Sequence, residues 1–360
     1  MMKRTMITVL LALVAGLMAF ADGSDTNEMK YRPLQVTFFF PAGSNGLNSP
    51  EFSNGFSLNI LAGMNGGLRG AEFSGLAGLL KGDMKGAQFA GLLNTAGGDM
   101  KGFQAAGLVN VVGHSSHGMQ AAGLVNVVGG KFKGAQVAGL VNVTAGKGKG
   151  FQAAGLVNVS AGAKVTQVAG LANVTTKLKG VQIGLFNYAD TVESGIPVGL
   201  FSIVGKGGYH AFEIAGNETF YFNPDFKLGV RHFYTVFTAG VSYRDEMIFW
   251  GWGLGAGTRF PIAKKADLSL EAICYQVNLD EWFTHGPNLL NRINLSFAWQ
   301  VAPHLALTFT PSWNVTVEDQ FDEYGEKVRE PWAPWSVYDI DWGNGFISEM
   351  YPGVGIGIRF

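Results

Sequence analysis

The stretch Gly134-Ala-Gln-Val-Ala-Gly-Leu-Val-Asn142 recurs almost unchanged as Gly102-Phe-Gln-Ala-Ala-Gly-Leu-Val-Asn110, Gly118-Met-Gln-Ala-Ala-Gly-Leu-Val-Asn126 and Gly150-Phe-Gln-Ala-Ala-Gly-Leu-Val-Asn158. Degenerate copies flank these four. The key positions are Glu72, Gln88, Gln104, Gln120, Gln136, Gln152, Gln167 and Gln182, spaced 16 residues apart five times and then 15 twice. Residues 70–190 thus hold eight repeats of about 16 residues, a period that signals a repeat architecture. Alternate residues of one copy place Gln136, Ala138, Leu140 and Asn142 on one face, and Ala135, Val137, Gly139 and Val141 on the other. That two-residue period marks a half-buried strand. The intervening Gly/Lys/His/Ser stretches are turn chemistry.

Two registers satisfy the amides. An antiparallel meander centred on Lys147 sets Asn142 opposite Gln152 and Gln136 opposite Asn158. A parallel solenoid instead stacks Gln on Gln and Asn on Asn. In either, each amide both donates and accepts.

Working outward, residues 34–40 and 56–63 read as two early strands and 196–203 as one more. From about Tyr209 an aromatic-rich alternation predicts eight longer strands, the last over 350–360. Residues 1–21 read as a cleaved signal peptide: Lys3 and Arg4, an apolar run from Ile7 to Phe20, then Ala19-Phe20-Ala21. Residues 22–33 read as a linker. Removing the leader leaves 24 basic and 27 acidic residues, a net charge of −3.

In the last strand Val354, Ile356, Ile358 and the terminal Phe360 alternate with glycines and Arg359. The chain here resembles Gram-negative outer-membrane β-barrel proteins. That resemblance implies an outer-membrane or cell-surface location, contact with outer-membrane lipid, and reading of Phe360 as an assembly signal by the barrel-assembly machinery. The Gly-x-Gln-x-(Ala)-Gly-Leu-x-Asn units also resemble a family of bacterial surface-repeat proteins, with no agreed activity. That second resemblance covers about a third of the chain.

Composition fits an exported all-β protein. Gly supplies 52 of 360 residues, and charged residues only 15%. Disorder, which needs low hydrophobicity and high charge, is excluded. The near-balance of 26 basic and 27 acidic residues gives no global field for nucleic acid. Cys274 stands alone, so no intramolecular disulfide or multi-cysteine zinc site is available.

A 16-residue period less a turn leaves about the 9–11 residues of a membrane-spanning strand. The expected fold is therefore all-β: a transmembrane antiparallel β-barrel of about 18–20 strands over residues 34–360, with the repeats as consecutive strands. Its lumen would be lined by Gln88, Asn94, Gln104, Asn110, Gln120, Asn126, Gln136, Asn142, Gln152 and Asn158. It would act as a passive, porin-like pore for small polar solutes, or as a structural surface protein. The alternative is a β-solenoid of repeats joined to a smaller C-terminal barrel, serving as a non-catalytic surface adhesion or binding module. Two features weigh against the large barrel: the repeats lack an aromatic girdle, and Gly107 falls opposite Gly123 in an unexplained glycine stripe on the lipid face.

Catalysis, cofactors and metals are not expected. His114 and His117 form His-x-x-His without a nearby carboxylate or cysteine, which reads as a solvated turn. The remaining histidines accompany no nucleophile motif. Lysines recur in the repeat turns (Lys81, Lys85, Lys101, Lys131, Lys133, Lys147, Lys149, Lys164, Lys177 and Lys179). In a solenoid they gather on one edge, able to hold anionic glycans or lipid headgroups; in a meander they divide between rims and merely solvate. Residues 318–349 form an acidic, Trp-rich loop of net charge −7, whose Trp332, Trp335, Tyr338 and Trp342 are candidate recognition residues.

Overall fold

Each repeat turns a corner at its Gly-Leu pair. The stretch that reads as one nine-residue strand is two: Phe132–Ala138 and then Val141–Thr144, with Gly139 and Leu140 between them. Gln136 and Asn142 remain inside at 0% exposure, whereas Leu140 is 39% exposed. The period-2 alternation alone would have put all three together. A Leu at a corner swings outward because the backbone direction changes beneath it.

The computed structural model describes residues 29–360 except 245, 281–285, 321–331 and 344. The chain divides into two units, the first ending at Gly199 and the second comprising Leu200–Phe360. The expected leader over residues 1–21 and most of the expected linker lie outside the described residues. The first strand already begins at Lys30.

The first unit is a parallel β-solenoid with two strands per turn. Met100–Ala106 pairs with Ser116–Ala122, which pairs with Phe132–Ala138, and Gln104, Gln120 and Gln136 are direct partners. The shorter strands stack likewise, with Asn110, Asn126 and Asn142 in register. This replaces the expected 18–20-strand transmembrane antiparallel barrel, and the porin-like reading falls with it: the repeats are not consecutive membrane strands.

The glycines that a barrel left unexplained show why the stack is parallel. Gly86, Gly102, Gly118, Gly134 and Gly150 hold φ between +130° and +145°, a region that residues with a Cβ rarely enter. A Cβ on Gly118 would meet the Gly102 carbonyl oxygen at 1.9 Å. At the other corner, a Cβ on Gly107 would sit 2.0 Å from the Gly91 oxygen. Backbone passes over backbone at both places, so only glycine fits.

Apolar side chains form two buried clusters, one on the same face as the amides and one on the other face of the short strands. Leu68, Leu80, Met84, Ala96, Met100, Val112, Val128 and Phe132 form one buried cluster, and Val111, Val127 and Val143 another. The amides run beside the first cluster, and the second, packed with Val109, Val125 and Val141, alternates with the inward Asn residues.

The second unit is antiparallel. We number its main strands β1 (Tyr209–Asn217), β2 (Asn223–Val230), β3 (Phe233–Arg244), β4 (Met247–Ala263), β5 (Ala266–Leu279), β6 (Asn288–Ala302), β7 (Leu305–Asp319) and β8 (Phe346–Arg359). Neighbours pair in sequence, and β8 also pairs with β1 (Ile214 with Ile358), which closes the ring of eight. A short strand, Tyr338–Asp341, adds to β8. Inside, the Lys227 ammonium donates to Glu213 (2.9 Å) and Glu271 (2.6 Å), Tyr234 donates to Glu271 (2.7 Å), and Arg359 pairs with Asp267 (2.7 Å). Outside, Phe226, Leu254, Leu270, Leu295, Phe309 and Ile356 are exposed. No helix among the described residues is long and apolar enough to cross a membrane.

Candidate functional site

The ten amides expected to line a lumen line none. Gln88, Asn94, Gln104, Asn110, Gln120, Asn126, Gln136, Asn142, Gln152 and Asn158 are all 0% exposed within the solenoid. They form two ladders of opposite polarity. Each Gln donates to the preceding turn: Gln104 to Gln88 at 2.8 Å, Gln120 to Gln104 at 3.0 Å, and Gln152 to Gln136 at 2.7 Å. Each Asn donates to the following turn: Asn110 to Asn126, Asn126 to Asn142 and Asn142 to Asn158, all at 2.9 Å. The second N–H of each of these Asn reaches a backbone carbonyl, for example Asn126 to Val137 at 2.7 Å.

A one-way ladder must end on a group that only accepts, and Glu72 is that group. Its carboxylate takes the amide hydrogens of Gln88 and Asn65. Burial pushes the Glu72 carboxyl above its usual 4.5, an effect the hydrogen bonds from Gln88 and Asn65 only partly offset. The sequence shows this substitution, but the reason for it becomes visible only once the stack is parallel.

The exposed face gathers charge. Arg69, Lys85, Lys101, His117, Lys133, Lys149 and Lys164 are successive direct partners along the stack, and all seven are exposed. With a strand separation of about 4.8 Å, they form a column roughly 29 Å long. None has a carboxylate partner among the described residues. By contrast Lys177 and Lys179 both pair with Glu193 at 2.5 Å, which pulls its carboxyl down to about 2.

The sequence pointed to five of these lysines, but missed Arg69 and placed His117 in a turn; the 16-residue period running back from Lys85 to Arg69 was the available signal. Lys131 and Lys147 fall at the adjoining corner, where their carbonyls accept as those of Asp83, Asp99 and Ser115 do in earlier turns. The described residues hold no group of three or more metal-ligating side chains.

The aromatic candidates separate. Trp332 is buried at 5% exposure, donates to Asn288 Oδ1 at 2.8 Å and lies against Phe249, so it is a core residue. Trp335, Tyr338 and Trp342 are exposed. Residues 321–331 of the acidic loop and His285 lie outside the described residues. Phe360 is exposed, and its backbone exchanges hydrogen bonds with Phe212. Comparison with protein-family models, curated proteins and solved structures finds no match to this chain.

Proposed function

We propose that this chain is a non-catalytic surface binding module of a Gram-negative outer membrane, with the solenoid as its binding part and the eight-stranded unit as its anchor. The observation that carries the binding role is the column of seven cationic and imidazole side chains, held at fixed spacing on one exposed face, none with a carboxylate partner among the described residues. Such a row attracts a ligand bearing several negative charges and orients it along the axis. Support for the anchor comes from the outward apolar side chains, seven of the eight strands being at or beyond the length of membrane β-strands, and the alternation of Val354, Ile356 and Ile358 with glycines in β8. On this reading, outer-membrane lipid surrounds the anchor and the assembly machinery reads its last strand.

The test uses the full chain and dextran sulfate as polyanion. The wild type binds, and affinity falls more than about tenfold between ~50 and ~200 mM salt, as counterion release requires. The Lys101→Glu/Lys133→Glu/Lys149→Glu variant loses that binding while keeping its β-rich circular dichroism. Salt-insensitive binding, or binding unchanged in the triple variant, would contradict the proposal.

A further inference from the structure

On the same strands as the cations, four residues further along, runs the outward column Phe73, Phe89, Ala105, Ala121 and Val137, which Leu58 of the preceding strand extends. Its bulk collapses to methyl groups at Ala105 and Ala121 and returns at Val137. Phe73 and Phe89 stack at 5.1 Å on the approach. The dip is floored by the Ala-Gly pairs that end each long strand, and forms an open groove of about 870 Å³ with mainly apolar walls. That volume lies within the range of about 300–1,000 Å³ typical of small-molecule sites. Six stacked positions make the groove about 24 Å long, and the cation column runs parallel to it about 13 Å away along the strands.

We infer that the groove takes the hydrocarbon chain of a single anionic amphiphile, whose headgroup is held by the cation column. This rests on the proposed anion-binding role and names the ligand class. Charge selects the occupant. A second copy packed groove to groove about a two-fold axis lying across the stack would set the two cation columns face to face, where like charges repel. An acyl chain seated in the dip, with its head end turned across the outward Phe103 and Met119 row, brings a carboxylate, sulfate or phosphate to the cation column. The groove also follows the straight axis of the stack, which suits an extended chain better than a compact ring system.

The experiment uses the full chain in nanodiscs of zwitterionic lipid and palmitate carrying a mid-chain diazirine. After photolysis, adducts are expected between Phe89 and Val137. Unlabelled palmitate should displace the probe, whereas butyrate should be weaker by more than about a hundredfold because each buried methylene adds to binding. Hexadecanol, which lacks the charge, should also compete poorly. Ala105→Glu/Ala121→Glu should abolish the adducts, and Ala121→Tyr should do so by filling the dip without adding charge. Ala121→Tyr, which adds no charge, should retain dextran sulfate binding.

Adducts confined to residues 209–360, equal competition by butyrate or hexadecanol, or a stable dimer that covers Ala105 and Ala121 would overturn the inference. If dextran sulfate binds and palmitate does not, only this inference fails. If neither binds, the anion-binding role fails with it.

Discussion

Gln120 shows what holds one turn to the next. It donates to Gln104 at 3.0 Å and accepts from Gln136 at 2.9 Å, wholly buried. Replacing it with Leu keeps the bulk but strands an acceptor on one side and a donor on the other, each costing about 1–3 kcal/mol. Gln120→Leu should therefore lower the urea midpoint of the solenoid well beyond the effect of Met119→Leu, a change on the outer face. Glu72 yields a pH prediction. Its folded pKa is raised, so the stability it contributes is full below the ordinary carboxyl value and is lost as pH rises through the raised one. In Glu72→Gln that loss disappears: the variant's stability relative to wild type should rise as the pH climbs above the ordinary carboxyl range. A difference independent of pH would refute the assignment of Glu72 as a buried, charge-penalised ladder end.

At the scale of the element, each turn contacts only its neighbours, so the stack should tolerate loss of a whole repeat. Deleting residues 118–133 joins His117 to Gly134, leaves Gln104 beneath Gln136 and removes one cation of the column, Lys133, together with Lys131 at the corner. The shortened chain should fold, melt cooperatively and bind dextran sulfate within about tenfold of wild type. Deleting only 118–125 should destroy the register, because it removes half a turn.

How much of this the sequence carried differs between elements. The antiparallel strands were legible from alternation and turn residues: eight are expected from about Tyr209, and eight main strands run from Tyr209 onward. In the repeats, the inward Gln and Asn were legible too. The corner at Gly139-Leu140 was not, because alternation continues through it except at one Leu. Both registers paired every amide, so pairing could not choose between them. The choice lies in Gly102 and its equivalents, whose positive φ and lack of room for a Cβ leave no trace in the sequence except the glycine itself. The cation column followed once the period was applied in a parallel stack.

At the scale of the molecule, the two units differ in how they treat water. The solenoid hides amides and shows cations. The antiparallel unit hides ion pairs around Lys227 and shows apolar side chains. With its interior occupied by Lys227, Glu213, Glu271, Arg359 and Asp267, that unit should give no steady conductance in a planar bilayer. Single cysteines in a Cys274→Ser background, carrying an environment-sensitive fluorophore, should be quenched from within the bilayer at Leu254, Leu270 and Leu295. At Leu124, Leu140 and Leu156, which the solenoid leaves exposed, they should not.

The parallel stacking of the repeats underlies both the amide ladders and the cation column, and it is tested most directly by spin labels at Lys133→Cys and Lys149→Cys in the same Cys274→Ser background. In the solenoid these positions are direct partners, about 5 Å apart between backbones, and the continuous-wave spectrum should show strong dipolar broadening. In an antiparallel meander they would lie at opposite ends of adjacent strands, roughly 40 Å apart. An unbroadened spectrum from a folded, doubly labelled protein would contradict the parallel stack and remove the column on which the binding role depends.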